Sequence, residues 1–442
     1  MSDYVERELP LSEDPLDLAA ALAEASSSIV GSRAHVVYER DDEWCVGLGV
    51  LVEVVVTKHE VRCSGGGGGD SVRSWVDSPL PAVDEFLRGA PVSHWRAYGW
   101  AGFEFAYLQA GMPELVGEEP LLHLFVPRIE VRLRQGRARI RAVDAEELVA
   151  VSALLAAHRP APRKDPVSLD VEAGGAGEYR SAVGAAVDEI RARLLRKVIL
   201  SRTVEVPTPV DMVGTYLAGR RGNTPTRSFL LDLGGVCATG FSPEIVVSVD
   251  ADRNVGTQPL AGTRALGGGE AADLSRRDDL LSDAKEIYEH AISVKVAYDE
   301  LVPLCDPGTV MVTDYMSVKP RGSVQHLASS LVGRLAPGIG SWDAFAALFP
   351  AVTASGVPKP AAYRAIRRHE TGPRGLYSGA VLTMDHDGTL DAALVLRTLF
   401  RRDGRTWLQA GAGIVEQSEP GREFEETCEK LRSVAGYLVP AH

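Results

Sequence analysis

"GAVLTMDHDGTLDAALVLRTLFRRDGRTWLQAGAG" (residues 379–413) decides the fold class. Its β-rich runs GAVLTMD, DAALVLRTLF and TWLQAGAG are separated by DHDGT and RDGR, Asp/Gly turns that reverse the chain within a few residues. Parallel neighbours would need a crossover of a dozen residues or more. The segment therefore predicts antiparallel hairpins, with DAALVLRTLF as a single strand. Upstream, "EYRSAVGAAVDEIRARL" (178–194) puts Val183, Val187, Ile190 and Leu194 at helical spacing. "RKVILSRTVEV" (196–206), "SFLLDL" and "EIVVSVD" then read as further strands. Helices and hairpins mix without a βαβ rhythm, which predicts an α+β fold.

Residues 1–155 form a β-rich N-terminal part, with runs such as "AHVVYER" and "VLVEVVVTKHEVR". Residues 156–178, polar and Pro-containing, read as a linker, and 179–442 as the second part; the two parts are expected to make one integrated domain. "CSGGGGGDS" (63–71) reads as a hairpin loop, because no Lys-Ser/Thr follows to make it a phosphate loop. "GAGIVE" (411–416) begins like a dinucleotide fingerprint but carries Glu416 where the third glycine belongs, so nicotinamide binding is not expected. A net charge of -13 and a pI near 5.4 argue against nucleic-acid binding, which demands basic patches. Five scattered cysteines without a C-x-x-C spacing support neither a disulfide framework nor a zinc site. With no signal peptide and no run of about 18 apolar residues, a cytoplasmic protein without membrane attachment is expected.

Two acidic pairs stand out. In "SDAKEIYEHAI" (282–292), setting Ile287 at zero on a helical wheel brings Ala291, Val294, Tyr298 and Leu301 within about 40°, which predicts the buried face. Glu286 and Glu289 fall together on its flank. In "PGREFEETCEKL" (420–431), Phe424, Cys428, Leu431 and Ala435 make the stripe, Glu423 and Glu426 take the same flank with Lys430, and Glu425 and Glu429 lie opposite in solvent. Spacing alone leaves two possibilities open: solvated flanks, or carboxylates converging on a cation, for which all-oxygen ligation suits Mg²⁺.

In order along the chain, KVILSRTVEV, GFSPEIVVSV, PLAGTRALG, DAKEIYEHAISV, GSVQHLASS, FPAVTASGVPK, PRGLYSGAV, DAALVLRTL and AGAGIVEQSEPGREFEETCEKL resemble the chorismate-utilising enzymes. That superfamily includes anthranilate, aminodeoxychorismate, isochorismate and salicylate synthases, and the nearest likeness is to the siderophore-type salicylate synthases of mycobacteria. The resemblance is dense over residues 178–440 and weaker before, as in AYGWAGFEFAYL (97–108). It implies two facing β-sheets with helices outside and the active site between them. It implies Mg²⁺ held by Glu289 and Glu426, with Glu286 and Glu423 acting directly or through water. Lys197 corresponds to the base that activates water and Glu244 to the acid that protonates the departing C4 hydroxyl. Arg397 and Tyr377 correspond to the grip on the enolpyruvyl carboxylate. Gly262, Thr263, Gly411 and Gly413 would let backbone approach the substrate, His326 and Thr353 would stand beside the ring, His326 as a catalytic group with Lys197 and Glu244, and Lys430 near carboxylate and metal. Two positions depart from the pattern: Gln258, where relatives often carry Glu, and Gln409, where a basic residue is common.

The implied activity is conversion of chorismate through isochorismate to salicylate and pyruvate, in siderophore or other secondary metabolism. The alternatives are an isochorismate synthase that stops halfway, an ammonia-using anthranilate or aminodeoxychorismate synthase, and a chorismate-binding paralogue without turnover. Absence of an LLES motif and of a fused glutaminase weighs against the second, and no glutaminase partner is expected. The expected state is a monomer, with a weak dimer as the alternative.

Overall fold

Period-two burial sorts the strands into two layers. Along the strand Arg227–Leu233, Phe229, Leu231 and Leu233 enter one apolar cluster and Leu230 enters another. The same division separates Val36 and Tyr38 from Val37, and Tyr98 and Trp100 from Ala97 and Ala101. Successive side chains of a strand point to opposite faces, so the first cluster lies between two sheets and the second between sheets and helices. The computed structural model describes residues 3–65, 69–159 and 165–441. Residues 66–68 of the expected glycine loop and 160–164 of the expected linker lie outside the described residues.

One sheet runs, in hydrogen-bonded order, Glu43–Val56, His35–Arg40, Arg227–Leu233, Val236–Ser242, Thr398–Arg402, Arg405–Ile414, Lys197–Glu205. The other runs Leu122–Arg134, Arg96–Ala101, Ala380–Asp385, Leu390–Leu394, Ile245–Val249, Asn254–Thr257, Val324–Arg334. Leu260–Ala265 and Met311–Arg321 pair with the last of these. Every one of these pairings is antiparallel, and pairing of 43–56 with 122–134 joins the layers into one network. Helices pack outside: Pro15–Val30, Met212–Gly222, Ala176–Arg191 and Pro420–Ala435 cover the first sheet, Ala284–Leu301 and Ser341–Leu348 the second. The fold is α+β with two facing sheets. No described helix is long and apolar enough to cross a membrane.

Both expected hairpins form, with Ala380 opposite Leu394 and Arg402 opposite Arg405. DAALVLRTLF, however, is not one strand. Leu390–Leu394 belongs to the second sheet and Thr398–Arg402 to the first, and the chain crosses between them at 395–397, where Arg397 has φ 51°, outside strand geometry. The helix over 178–194 also ends earlier, at Arg191, because Arg193 turns to φ 62°; Leu194 is 61% exposed instead of on the apolar stripe.

Candidate active site

A second crossing lies beside the first. Strand Val236–Ser242 pairs within the first sheet and Ile245–Val249 within the second, so the chain changes layers at Pro243 and Glu244. The crossings are tied together: Ser242 Oγ donates to Leu394 O (2.6 Å), Leu394 N to Glu244 O (3.0 Å) and Phe241 N to Arg397 O (3.2 Å). Where both strands leave their ladders, a pocket opens between the layers. Glu244, Gly262, Thr263, Glu289, His326, Thr353, Tyr377, Arg397, Gly411, Gly413, Glu426 and Lys430 are on its wall; Lys197, Glu286 and Glu423 are not.

Glu244 is buried. Its Oε1 accepts from Thr353 Oγ1 and its Oε2 from Leu260 N (3.2 Å). Burial pushes its pKa up to about 8, against the smaller opposing effects of those two bonds and of Lys197. A carboxyl so placed keeps its proton at neutral pH and can deliver it.

Arg397 is buried and, among the described residues, has no carboxylate partner. One guanidinium nitrogen donates to Arg321 O (2.8 Å) and another to His326 Nε2. Burial, with repulsion from Arg321, lowers its pKa, so an anion in the pocket would relieve an uncompensated charge. His326 is itself driven well below the usual histidine range by burial and by the charges of Arg397 and Lys430. It is therefore neutral. Its Nδ1 lies 3.2 Å from Gly262 O and 3.1 Å from Thr263 Oγ1. A carbonyl can only accept, which puts the proton on Nδ1 and leaves Nε2 to accept from Arg397. His326 thus holds Arg397 rather than moving protons.

The opposite wall comes from two helices. In Ala284–Leu301 the buried face is Glu286, Glu289, His290, Ser293, Val294, Ala297 and Leu301, rotated from the expected stripe; Tyr298 is exposed, and Ile287 and Ala291 are half-buried. The helix turns its polar side inward because that side meets charged partners. In Pro420–Ala435 the expected stripe of Phe424, Cys428, Leu431 and Ala435 is buried, and Glu423 and Glu426 are buried with it. Glu425 is exposed, and Glu429 is half-buried and pairs with Arg422 (3.0 Å).

Lysines and an arginine thread these carboxylates. Lys285 Nζ lies 2.8 Å from Glu423 Oε1 and 3.6 Å from Glu286 Oε1. Arg264 meets Glu286 (3.0 Å), whose Oε2 also accepts from Thr263 N (3.2 Å). Lys430 Nζ meets Glu426 Oε1 (2.7 Å) and Gly411 O (2.9 Å). Lys197, fully buried, meets Glu289 Oε1 (3.0 Å) and donates to Ser293 Oγ (3.0 Å). Burial and the charge of Glu426 raise the pKa of both Glu286 and Glu423. Burial also pushes Glu426 upward, but Lys430 and Lys285 more than offset it and hold that carboxyl below the ordinary range. Gly413 makes the approach possible, since a Cβ there would fall on the Glu289 carboxylate. At Gly262, φ 82° and an approach to Glu286 likewise favour glycine.

Among the described residues, no three acidic, His or Cys side chains already stand as a metal site. The donors nonetheless fit a hard divalent cation. All are carboxylate oxygens, buried beside the ammonium groups of Lys285 and Lys430, whose charge a divalent cation would replace. Lys285, Arg264 and Ser293 were not anticipated. The available signal was spacing: Lys285 and Ser293 stand four residues before and after Glu289, on its face of the helix. Of the two departures, Gln409 lies on the pocket wall and donates to Ser201 Oγ (2.9 Å), while Gln258 donates to Ser330 Oγ (3.3 Å).

Known proteins carry the same architecture. Anthranilate synthase component I of Streptococcus pneumoniae superposes with a TM-score of 0.73 at 26% identity, over 89% of this chain and 92% of that one. The menaquinone-specific isochorismate synthase of Escherichia coli gives 0.73 at 22% identity over 98% and 94%, a likeness of fold. In sequence, the chain is 44% identical to a salicylate synthase of Mycolicibacterium paratuberculosis, over 98% of its own length and 95% of the other's. Residues 35–436 match the model of the chorismate binding enzymes, and the chain belongs to that family.

Proposed function

We propose that the protein converts chorismate through isochorismate to salicylate and pyruvate, with Mg²⁺ as cofactor. The similarity to a salicylate synthase along nearly the whole chain supports this substrate and product. The observation that carries it within the pocket is Arg397, a buried guanidinium without a carboxylate partner among the described residues, in a pocket that Glu289 and Glu426 also line. Such a pocket suits a ligand with an anionic arm at one end and a metal-bound carboxylate at the other. Mg²⁺, held by Glu289 and Glu426 with Glu286 and Glu423 in support, would supply positive charge for the ring carboxylate.

The chain's own groups perform the rest. Lys197, beside Glu289 (3.0 Å) and Ser293 (3.0 Å), would in its neutral form take a proton from the water that attacks C2. Glu244 gives its proton to the hydroxyl leaving C4, and isochorismate results. Arg397, braced by His326, holds the enolpyruvyl carboxylate together with Tyr377. So held, the arm folds over the ring, the C2 hydrogen passes to its methylene, and the ring C–O bond breaks to give salicylate and pyruvate. This second step requires positioning rather than an acid or base. A siderophore role and a cytoplasmic location complete the proposal; five free thiols accord with a reducing compartment.

The test is to incubate pure protein with chorismate and Mg²⁺, with and without ammonia, and identify the products. Salicylate and pyruvate in equal amounts are expected under both conditions. Isochorismate as the sole stable product, or anthranilate with ammonia, would overturn the proposal.

A further inference from the structure

Behind the pocket, Arg374 joins segments that the reaction uses separately. Its side chain is 1% exposed. Nη1 donates to Ala354 O (2.7 Å), and Nη2 to Ile199 O (2.8 Å) and Glu370 Oε1 (2.6 Å), while Nε donates to Glu370 Oε2 (2.9 Å). Ala354 follows Thr353 in the short turn Val352–Ala354, and Thr353 Oγ1 donates to Glu244. Ile199 lies two residues beyond Lys197 on the same strand. Glu370 Oε1 also accepts from Ser201 N (2.8 Å) and Ser201 Oγ (2.9 Å), and Ser201 Oγ accepts from Gln409 on the pocket wall. A planar guanidinium can serve all these acceptors at once, which a lysine cannot.

We propose that Arg374, locked by Glu370, is a positioning residue for the first half-reaction: it pins the Thr353 turn and thereby the hydrogen bond that Thr353 makes to the acid Glu244. The inference rests on the function proposed above. The turn keeps its own bonds, Ala354 N to Ala351 O (3.0 Å) and Ile199 N to Ser355 O (2.9 Å), so weakening the clamp shifts the turn without unfolding it. The lyase step needs no acid, so it does not depend on the hydrogen bond from Thr353 to Glu244.

The experiment compares wild type, Glu370→Gln, Thr353→Val and the double variant on chorismate and, separately, on isochorismate, with melting temperatures as a check of folding. Glu370→Gln should slow consumption of chorismate by about tenfold and change turnover of isochorismate by less than about twofold. The double variant should be no slower than Thr353→Val alone, because both changes act through one contact. Both single variants should also move the alkaline limb of the chorismate reaction to higher pH, since the Thr353 bond lowers the Glu244 pKa while Lys197, the charge that acts on Glu244, is untouched. Equal loss on the two substrates, additive losses in the double variant, or no loss on chorismate would overturn the assignment. Should Glu370→Gln not fold, Ser201→Ala, which removes one donor to Glu370, must show a smaller split in the same direction; equal loss there overturns it too. Wild type that forms neither isochorismate nor salicylate would instead refute the function itself.

Discussion

The two walls of the pocket are built by opposite means. On one side, Glu244 and Arg397 sit where strands leave one sheet for the other, and backbone geometry places them: Arg397 at φ 51°, Glu244 fixed by the bonds between crossings. On the other, Glu289 and Glu426 project from regular helices onto the pocket, with Glu286 and Glu423 on the same helices but off its lining, and counter-charges from Lys285, Arg264, Lys430 and Lys197 hold them. On the first wall Arg397 has no carboxylate partner among the described residues, whereas each of the four glutamates meets a cationic side chain. The proposed acid chemistry and anion recognition would therefore fall at the crossings, and the proposed cation binding on the helices.

That division can be broken most forcefully at the helices. Glu289→Gln or Glu426→Gln should remove Mg²⁺ affinity by more than about 100-fold, since even outer-shell partners of a metal site are worth 10–100-fold. Titration calorimetry and the loss of Mg²⁺-dependent thermal stabilisation would register it, and a chelator should silence wild type on both substrates. Next comes Arg397→Met, which leaves an anion without its buried partner. A cost of about 2–5 kcal/mol is expected, seen in kcat/KM for chorismate and isochorismate alike; loss on one substrate only would blur the division. Gly413→Ala pushes against the Glu289 carboxylate and should cost about 1–3 kcal/mol, read as a lower Tm and weaker Mg²⁺ binding. The smallest effect belongs to Arg422→Ala, which pairs with exposed Glu425 and half-buried Glu429 on the outer side of the helix: about 0–1 kcal/mol of stability and little change in kinetics.

Glu244 also sets a pH signature. Burial pushes its carboxyl up to about 8, above the ordinary glutamate value of 4.5, so its contribution to stability is complete below about pH 4.5 and is lost as pH rises through about 8. Glu244→Gln should remove that slope, so the difference in Tm between wild type and variant should change sign or narrow across this window.

The helical wall was the more legible in sequence. Period 3.6 placed Glu286, Glu289, Glu423 and Glu426 together, because a helix repeats its geometry and a wheel recovers it. What the wheel missed was polarity: charge partners from another element drew the acidic flank of 284–301 inward and left Tyr298 outside. The hairpins were legible from their Asp/Gly turns, and the α+β class followed. The crossings were not, since DAALVLRTLF has a strand's composition throughout and nothing local marks the residue where the chain changes sheets. Arg397 stood out there only as a charge among apolar neighbours. Arg374 and Lys285 have near neighbours in Glu370 and Glu286, but the partners that tie them to the site, Ala354 O and Glu423, come from distant segments that only the fold assembles.

The sharpest test of the account is Glu244→Gln assayed on both substrates with Mg²⁺ present. The account predicts consumption of chorismate falling by about 10²–10⁴-fold, while isochorismate is still converted to salicylate and pyruvate at a rate near that of wild type. Equal loss on both substrates would contradict it, placing Glu244 in the hold on the ligand rather than in the protonation of the departing hydroxyl.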